Sequence, residues 1–229
     1  MRSIIHRLCR AGVLILLVFT ISILSLRWFS PPVTSFMLQR MVTAWWGGEK
    51  NFTMFHDWVS WENITPSIPL AVVASEDQKY PVHRGFDIES IADAWSLRQR
   101  GQLRGASTIS QQVTKNLFLW SGRSFVRKGV EAALTVILEV CLSKRRILEI
   151  YLNISEFGDG IFGVGAASLV FFGKSPNEVS PEEAALLAAV LPNPLKRHVE
   201  KPTFFLRKRQ NWVLFQMRQL GGDSYLAGL

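Results

Sequence analysis

With 229 residues, the chain is long enough for one sizeable hydrophobic core and too short for two comfortable domains once a membrane segment is subtracted. The 26 Lys and Arg residues exceed the 18 Asp and Glu residues, so we expect an anionic partner: nucleic acid, a bilayer surface or a phosphorylated substrate. The four His and two Cys residues show no metal-ligand spacing, so nothing supports a structural zinc site.

The first predicted element is an uncharged apolar run at residues 11–26, AGVLILLVFTISILSL. As a helix this run would be about 24 Å long against about 30 Å of hydrocarbon, a shortfall that Arg10 and Arg27 can cover by snorkelling. A cleaved signal peptide is the alternative, but its apolar stretch is usually shorter and ends at small residues, which SLRWFSPP does not offer. We therefore expect an uncleaved, single-pass transmembrane anchor over residues 11–29.

The charges on the two sides of this run predict the orientation of the anchor. Arg2, Arg7, Arg10 and the amino terminus outnumber Arg27, so residues 1–10 should form a cytoplasmic tail. The rest of the chain would then lie on the periplasmic or extracellular side of the cytoplasmic (inner) membrane. A nucleic-acid partner is not expected on that side.

Helical periodicity dominates the exported part of the chain. An amphipathic helix is predicted in a membrane-proximal segment at 30–65, and the main domain is expected at 66–229. Ser180-Pro181-Glu182-Glu183 predicts a helix start, with an N-cap Ser, Pro at the first helical position and Glu at the third. The sequence therefore predicts a mainly α (all-α) fold. The predicted helices of the main domain cover residues 67–77, 88–100, 109–119, 125–142, 144–152, 162–172, 181–191 and 203–219.

Five segments place clustered polar residues within apolar helices, and the first is EDQKYPVHRGFD. Glu76 and Asp77 end a helix of apolar and small residues. A carboxylate there loses hydration and faces the negative end of the helix dipole, which favours its protonated form and suits a general base. The alternative is an ion pair with Lys79, His83 or Arg84. For Asp77 the two interpretations are equally supported, and for Glu76 taken alone the ion pair would be preferred.

The second segment is GASTISQQVTKN. Thr108 and Gln111 have the spacing of a capping box, so Ser107 and Thr108 could simply start the helix. That role does not explain why polar side chains recur along the helix, where they could bind sugar hydroxyls and phosphate oxygens. These side chains belong to Gln111, Gln112, Lys115 and Asn116.

The remaining three segments have ordinary structural interpretations when taken alone. Arg127 and Glu131 are four residues apart, as in a surface salt bridge. KRRILEIYLN is typical of a solvated basic helix start. Gly158, Gly160 and Gly163 form a GxGxxG pattern, but a dinucleotide site needs a preceding strand, and ILEIYLN is predicted as a helix. Close helix packing explains these glycines better.

In order and spacing, these segments resemble the peptidoglycan glycosyltransferase family, whose module also occurs in bifunctional penicillin-binding proteins. The resemblance runs from about residue 71 to residue 194. The Ser-x-x-Lys and Lys-Thr-Gly motifs of a transpeptidase domain are not found in the sequence, which is similar to the monofunctional form. The strongest matches are EDQKYPVHRGFD, GASTISQQVTKN, RKGVEAALTVILE, KRRILEIYLN and PEEAALLAAVLPNP.

The resemblance implies a site, a substrate and partners. Glu76 would be the catalytic base and Glu131 a second catalytic carboxylate. Lys115 and Arg123 would lie near the substrate diphosphates.

The implied fold is a lysozyme-like helical lobe with a smaller membrane-associated lobe. The implied substrates are lipid II and the growing glycan strand, with a divalent cation (magnesium or manganese), and penicillin-binding transpeptidases and division proteins are expected partners in cell wall biogenesis. The implied substrate-binding residues are Asp77, Ser107, Gln111, Gln112, Lys115, Arg123, Arg127 and Lys128.

Two other functions remain open at this point. A lytic glycan hydrolase would also use a buried Glu in a helical lobe, but it needs no diphosphate site, so the cations of the second and third segments count against it. A membrane-tethered cell-wall binding protein would explain the basic charge and the Trp content. It would not explain two carboxylates among ordered polar motifs.

Overall fold

The structure, a computed structural model, describes residues 2–49, 52–100, 105–122 and 124–229. Over these residues it contains ten α-helices, two short 3₁₀ segments and one small sheet, so the predicted mainly α fold is confirmed. The helices are α1 (Arg2–Ser25), α2 (Ser35–Trp46), α3 (Ser67–Glu76), α4 (Ile88–Gln99), α5 (Ile109–Phe118), α6 (Phe125–Cys141), α7 (Lys144–Ile154), α8 (Gly163–Phe172), α9 (Pro181–Val190) and α10 (Phe204–Gln219). The strands are β1 (Phe55–His56), β2 (Glu156–Gly158) and β3 (Ile161–Phe162), and the 3₁₀ segments cover Trp61–Asn63 and Gly222–Leu226.

Two helices begin with the capping chemistry predicted from the sequence. At α9, the Glu183 amide donates to Ser180 Oγ over 3.3 Å, and the Ser180 amide donates to Glu183 Oε2 over 2.9 Å. At α5, Thr108 and Gln111 form the same reciprocal pair. Each box satisfies two backbone amides that a helix start otherwise leaves without a partner.

The centre of the core is α3, which is buried on every side. Residues 68–74 are almost fully enclosed, as expected for a helix that is apolar all round. It packs against α9, whose residues 184–190 are also buried, and against α10. Because both α3 and α9 contain several Ala residues, the helices can approach closely. The carboxyl end of α3, at Glu76, is therefore a well-fixed position.

A second group of helices is built on α5, whose Gln112 side chain and Ile109 amide donate to Glu76 and Asp77 at this end of α3. α5 packs between α6 and α7, while α2 lies against α5 and α1 lies against α6. α1 and α2 are thus joined to the helices that contain the second and third polar segments.

A small three-stranded sheet, in the order β1-β3-β2, was not foreseen from the sequence. β3 pairs parallel with β1 and antiparallel with β2. Gly160 and Gly163 have positive φ values of 73° and 81° and lie on either side of β3. A Cβ atom on Gly163 would be 2.6 Å from the Asn153 carbonyl oxygen. Gly160 therefore serves the turn between β2 and β3, which corrects its interpretation as a helix-packing residue, whereas Gly163 lets the start of α8 approach the backbone of α7 closely, as predicted.

Within the described part of the chain, no helix combines the length and the apolar character that crossing a membrane requires. The anchor expected at residues 11–29 stays a prediction.

Candidate active site

Glu76 lies at the exposed end of the enclosed helix α3. Its Oε2 accepts a hydrogen bond from Gln112 Nε2 over 3.1 Å, and its Oε1 accepts one from Ser75 Oγ over 3.2 Å. Both partners are neutral, and Glu76 makes no ion pair within the described ranges. The alternative that Glu76 merely pairs with a nearby cation is therefore not supported by the geometry.

Gln112 is oriented by Tyr151 of α7. The Tyr151 hydroxyl donates to Gln112 Oε1 over 3.1 Å, which leaves the Gln112 amide nitrogen to face Glu76. Burial, and then the nearby charge of Glu76, raises the pKa of Tyr151 well above its usual value. The phenol therefore keeps its proton and remains a donor, so the buried Tyr151 determines which end of the Gln112 amide Glu76 meets.

Glu76 faces a cavity of about 830 Å³ between α3, the start of α5 and α10. A neighbouring cavity of about 340 Å³ reaches from Glu76 toward Asp87 and Asp93. Ser107 and Trp212 line both spaces. Together they form a long polar groove along the end of α3. The other residues lining the larger cavity are Ser75, Gly105, Gln112, Pro192, Arg197, Thr203, Phe205, Leu206 and Arg209.

Arg209 on α10 is a site residue that the sequence interpretation missed. Its Nη2 donates to the Ser75 carbonyl over 3.1 Å and to Ser75 Oγ over 3.2 Å. Its guanidinium lies 4.2 Å from the ring centroid of Trp212, a cation–π distance. Burial lowers the pKa of Arg209, and its Nε is buried without a hydrogen-bond partner among the described residues. A partly desolvated cation next to the candidate base is suited to binding an anionic or polyhydroxylated ligand.

Asp77 is buried, and it also lines the neighbouring cavity beside Glu76. Its Oδ1 and Oδ2 lie 2.9 and 3.0 Å from His83 Nε2, and Oδ2 also accepts from the Ile109 amide over 2.9 Å. Asp77 therefore connects the end of α3 to the first residue of α5. The ion-pair alternative left open for Asp77 fits this geometry and supports a positioning role, while its predicted substrate contact, from the wall of the neighbouring cavity, stays a prediction.

Glu131 occupies a buried ionic cluster on α6. Its side chain is only 2% exposed, and its two oxygens accept from Arg127 Nη1, over 2.6 Å, and from Lys128 Nζ. Lys128 also donates to Ser107 Oγ over 3.0 Å, which connects α6 to the groove. The pair of Arg127 and Glu131 is thus not a surface salt bridge. Cations already occupy both carboxylate oxygens, which suits a positioning role, and the catalytic role implied by the resemblance stays a prediction.

The polar residues of α5 point in different directions. Gln111 is buried and its Oε1 accepts from the Thr108 amide over 3.0 Å, so the cap engages its carbonyl oxygen, and its substrate contact stays a prediction. Gln112 lines both the large cavity and a third, smaller cavity of about 280 Å³, which is also lined by Lys115 and Asn116. Burial lowers the pKa of Lys115, and its Nζ lies 5.2 Å from the ring centroid of Phe36.

Comparison with known proteins decides the family. The transglycosylase family model matches residues 48–218, well over half of the chain. The chain belongs to the transglycosylase family. Proteins named biosynthetic peptidoglycan transglycosylase, from Salmonella arizonae, Salmonella typhi and Salmonella typhimurium, are each 53% identical to it over 197 residues, which cover 85% of this chain and 81% of each relative. The resemblance found from the sequence motifs is confirmed.

The predicted residues of this transglycosylase form two groups around the groove. Glu76, Ser107 and Gln112 line the large cavity, whereas Lys115 lies beside the smaller one that Gln112 shares. Arg123 lies outside the described residues. In the part of the chain that the structure describes, no group of three or more His, Cys, Asp and Glu side chains is arranged to hold a metal ion. The roles of the site residues in the reaction stay predictions.

Proposed function

We propose that this protein polymerises peptidoglycan glycan strands from lipid II and releases undecaprenyl diphosphate, in cell wall biogenesis. The observation that supports the proposal most directly is the placement of Glu76. A carboxylate with neutral hydrogen-bond partners faces a large groove whose walls include Arg209 and Arg197, and Lys115 lies beyond Gln112. The names of the relatives support the same reaction class.

In the proposed reaction, Glu76 acts as a general base. It takes the proton from the 4-hydroxyl of the acceptor GlcNAc while that oxygen attacks the anomeric carbon of the donor MurNAc. The bond from this carbon to the diphosphate oxygen breaks, the diphosphate leaves with the electron pair, and the configuration inverts. A positioned general base contributes about 100- to 10,000-fold in rate.

The leaving diphosphate needs stabilisation of its charge more than it needs an acid. Fixed cations provide this most effectively in a partly desolvated site. We assign this role to Lys115, which is half-buried, together with Arg123 as a prediction from the family resemblance. The buried Glu131 would hold Arg127 and Lys128 in place at the Ser107 side of the groove.

The membrane anchor and location are also proposals. Residues 11–26 are apolar, and the outer face of α2 exposes Trp45 and Trp46 at 79% and 81%. Tryptophan favours the membrane–water interface. We therefore propose a single-pass anchor with a cytoplasmic amino terminus and a catalytic domain on the outer side of the cytoplasmic membrane. Partnership with penicillin-binding transpeptidases and division proteins stays a prediction.

The residues of the groove do not fit a resident metal ion. The oxygens of Glu131 accept from two cations, and those of Glu76 accept from Gln112 and Ser75. The predicted divalent cation would take substrate diphosphate oxygens among its ligands, as magnesium commonly does. Polymerisation with EDTA, magnesium or manganese tests this prediction.

The decisive experiment incubates the purified full chain in detergent with labelled lipid II and separates the products by length. Glu76→Gln and the matched surface variant Glu89→Gln are assayed in parallel. The proposal requires long glycan from the native chain and from Glu89→Gln, and almost none from Glu76→Gln. Shortening of preformed glycan would instead indicate a hydrolase, and binding of lipid II without turnover would indicate a binding protein.

A further inference from the structure

Phe36 belongs to α2, a helix that precedes the region matched by the family model at residues 48–218. Nevertheless, its side chain lines the smaller cavity that contains Lys115, Gln112 and Asn116. The Lys115 ammonium lies 5.2 Å from the centroid of the Phe36 ring. This is the distance of a cation–π contact, in which the negative face of the ring attracts the cation.

The start of α2 is anchored firmly, so the position of Phe36 is well defined. Thr34 caps the helix by accepting from the Met37 amide over 3.2 Å, and both residues are buried. Ser35 Oγ and Gln39 Nε2 both donate to the Leu119 carbonyl, over 2.8 and 2.9 Å. Leu119 is the C-cap of α5, whose last carbonyls lack helical partners. α2 therefore supplies hydrogen-bond donors to the carboxyl end of α5, the helix that contains Lys115.

Lys115 needs an external support to hold one position. A lysine side chain has four rotatable bonds and a compact charge, and it loses considerable entropy when it is fixed. Lys115 forms no ion pair with a carboxylate among the residues that the structure describes. The Phe36 ring is the neighbour placed to hold its ammonium without neutralising its charge.

We propose that Phe36 is a positioning residue, whose ring holds the Lys115 ammonium at the cavity wall where it can donate to an oxygen of a prenyl diphosphate. The inference rests on the proposed function, because it takes the diphosphate role of Lys115 from there. The membrane-proximal helix α2 thereby becomes part of the substrate site. A ring face leaves the three N–H bonds of the ammonium free to reach an anion.

The test measures binding of farnesyl diphosphate to the full chain in detergent by calorimetry. Farnesol, which lacks the diphosphate, is the control for partition into micelles. The variants are Phe36→Leu, which removes the ring, and Phe36→Tyr, which keeps it. Leu38→Ala, at an exposed position on the same helix, is the matched control. Lys115→Ala and the double variant, which combines Phe36→Leu with Lys115→Ala, complete a double-mutant cycle. Circular dichroism checks that each variant is folded.

We expect Phe36→Leu to raise the Kd about fivefold, the range of a partly desolvated cation–π contact. Phe36→Tyr and Leu38→Ala should bind like the native chain. Lys115→Ala should raise the Kd more than tenfold, because a charge-assisted hydrogen bond is lost. Adding Phe36→Leu to Lys115→Ala should change nothing further, since the ring would act only through the ammonium.

A Kd for Phe36→Leu equal to that of the native chain would overturn the proposal. The proposal would also fail if Phe36→Leu weakened binding equally in the native chain and in Lys115→Ala. Failure of the native chain to bind farnesyl diphosphate more tightly than farnesol would overturn it as well. The Kd values of the single and double variants could agree with the proposal while the native chain makes no glycan from lipid II. In that case the proposed function fails, and the diphosphate-binding site is still supported.

Discussion

Glu76 and Glu131 lie in opposite environments, so the same substitution should separate their roles. Glu131 is buried and both of its oxygens accept from cations. Glu76 is half-buried, and its two hydrogen-bond partners are neutral. Glu131→Gln therefore removes a buried charge next to Arg127 and Lys128, whereas Glu76→Gln removes a charge at the edge of a solvent-filled groove.

The loss of stability expected for Glu131→Gln follows from the partners of Glu131. Breaking a buried ion pair by removing one partner costs about 3–5 kcal/mol. We place this substitution at about 2–4 kcal/mol for two reasons. Glutamine keeps one acceptor for Arg127, whose Nε still donates to the Gly122 carbonyl over 2.6 Å. Lys128 is 43% exposed and can return to water. At about 2–4 °C per kcal/mol for a chain of this size, the Tm should fall by roughly 5–15 °C. Glu76→Gln should change stability by less than about 1 kcal/mol.

Thermal unfolding followed by circular dichroism and polymerisation of labelled lipid II at 25 °C measure the two effects. Glu76→Gln should keep the native Tm and lose about 100-fold or more in rate. Glu131→Gln should lose stability, together with about tenfold to hundredfold in rate, because the groove cations shift. A native Tm for Glu131→Gln, or a larger loss of Tm for Glu76→Gln, would refute this reasoning.

Three further predictions concern the surrounding residues. Asp77→Asn should lower the Tm and the polymerisation rate together, because it weakens the contacts of Asp77 with His83 and with the Ile109 amide; an unchanged Tm would contradict the positioning role. Burial lowers the pKa of Lys115 below 10.5, so its cation is lost as the pH rises through that lower value. Diphosphate binding should therefore weaken on the alkaline side, and Lys115→Arg, which stays charged, should show a flatter profile in calorimetric titrations. Ser180→Ala should lower the free energy of unfolding by about 1 kcal/mol through loss of the cap, and leave the rate at 25 °C unchanged.

Local chemistry made the helices predictable from the sequence. The reciprocal caps of Thr108 with Gln111 and of Ser180 with Glu183 each lie within four residues, so the signal and the structure coincide. The strands were missed because they are two or three residues long, which is too short for a hydrophobic alternation to appear. Only pairing defines them, and β1 pairs with a segment about a hundred positions away.

The site was predictable where polar residues interrupt apolar helices, and not where it depends on contacts over long sequence distances. Gln112 stands out in this way, whereas Glu76 was predicted only from the family resemblance, because its position taken alone favoured an ion pair. Arg209 contacts Ser75 from 134 positions away, and in the sequence it adjoins Arg207 and Lys208, as on any solvated basic helix. Arg209 is three positions from Trp212 on the same helix, and this spacing is only a weak local hint.

The contacts of Glu76 indicate how the groove is prepared before a substrate arrives. From one side, Tyr151 orients the Gln112 amide so that a donor faces the carboxylate. From the other side, Arg209 on α10 fixes Ser75, whose hydroxyl donates to the same carboxylate. Since α3 is enclosed by α9 and α10, the end of the helix is held in place relative to the donors of the Glu76 carboxylate. The Glu76 carboxylate thus accepts from donors on two helices, α3 and α5, which are held in turn by α10 and α7, and such preorganisation would reduce the reorganisation that the proposed reaction must supply.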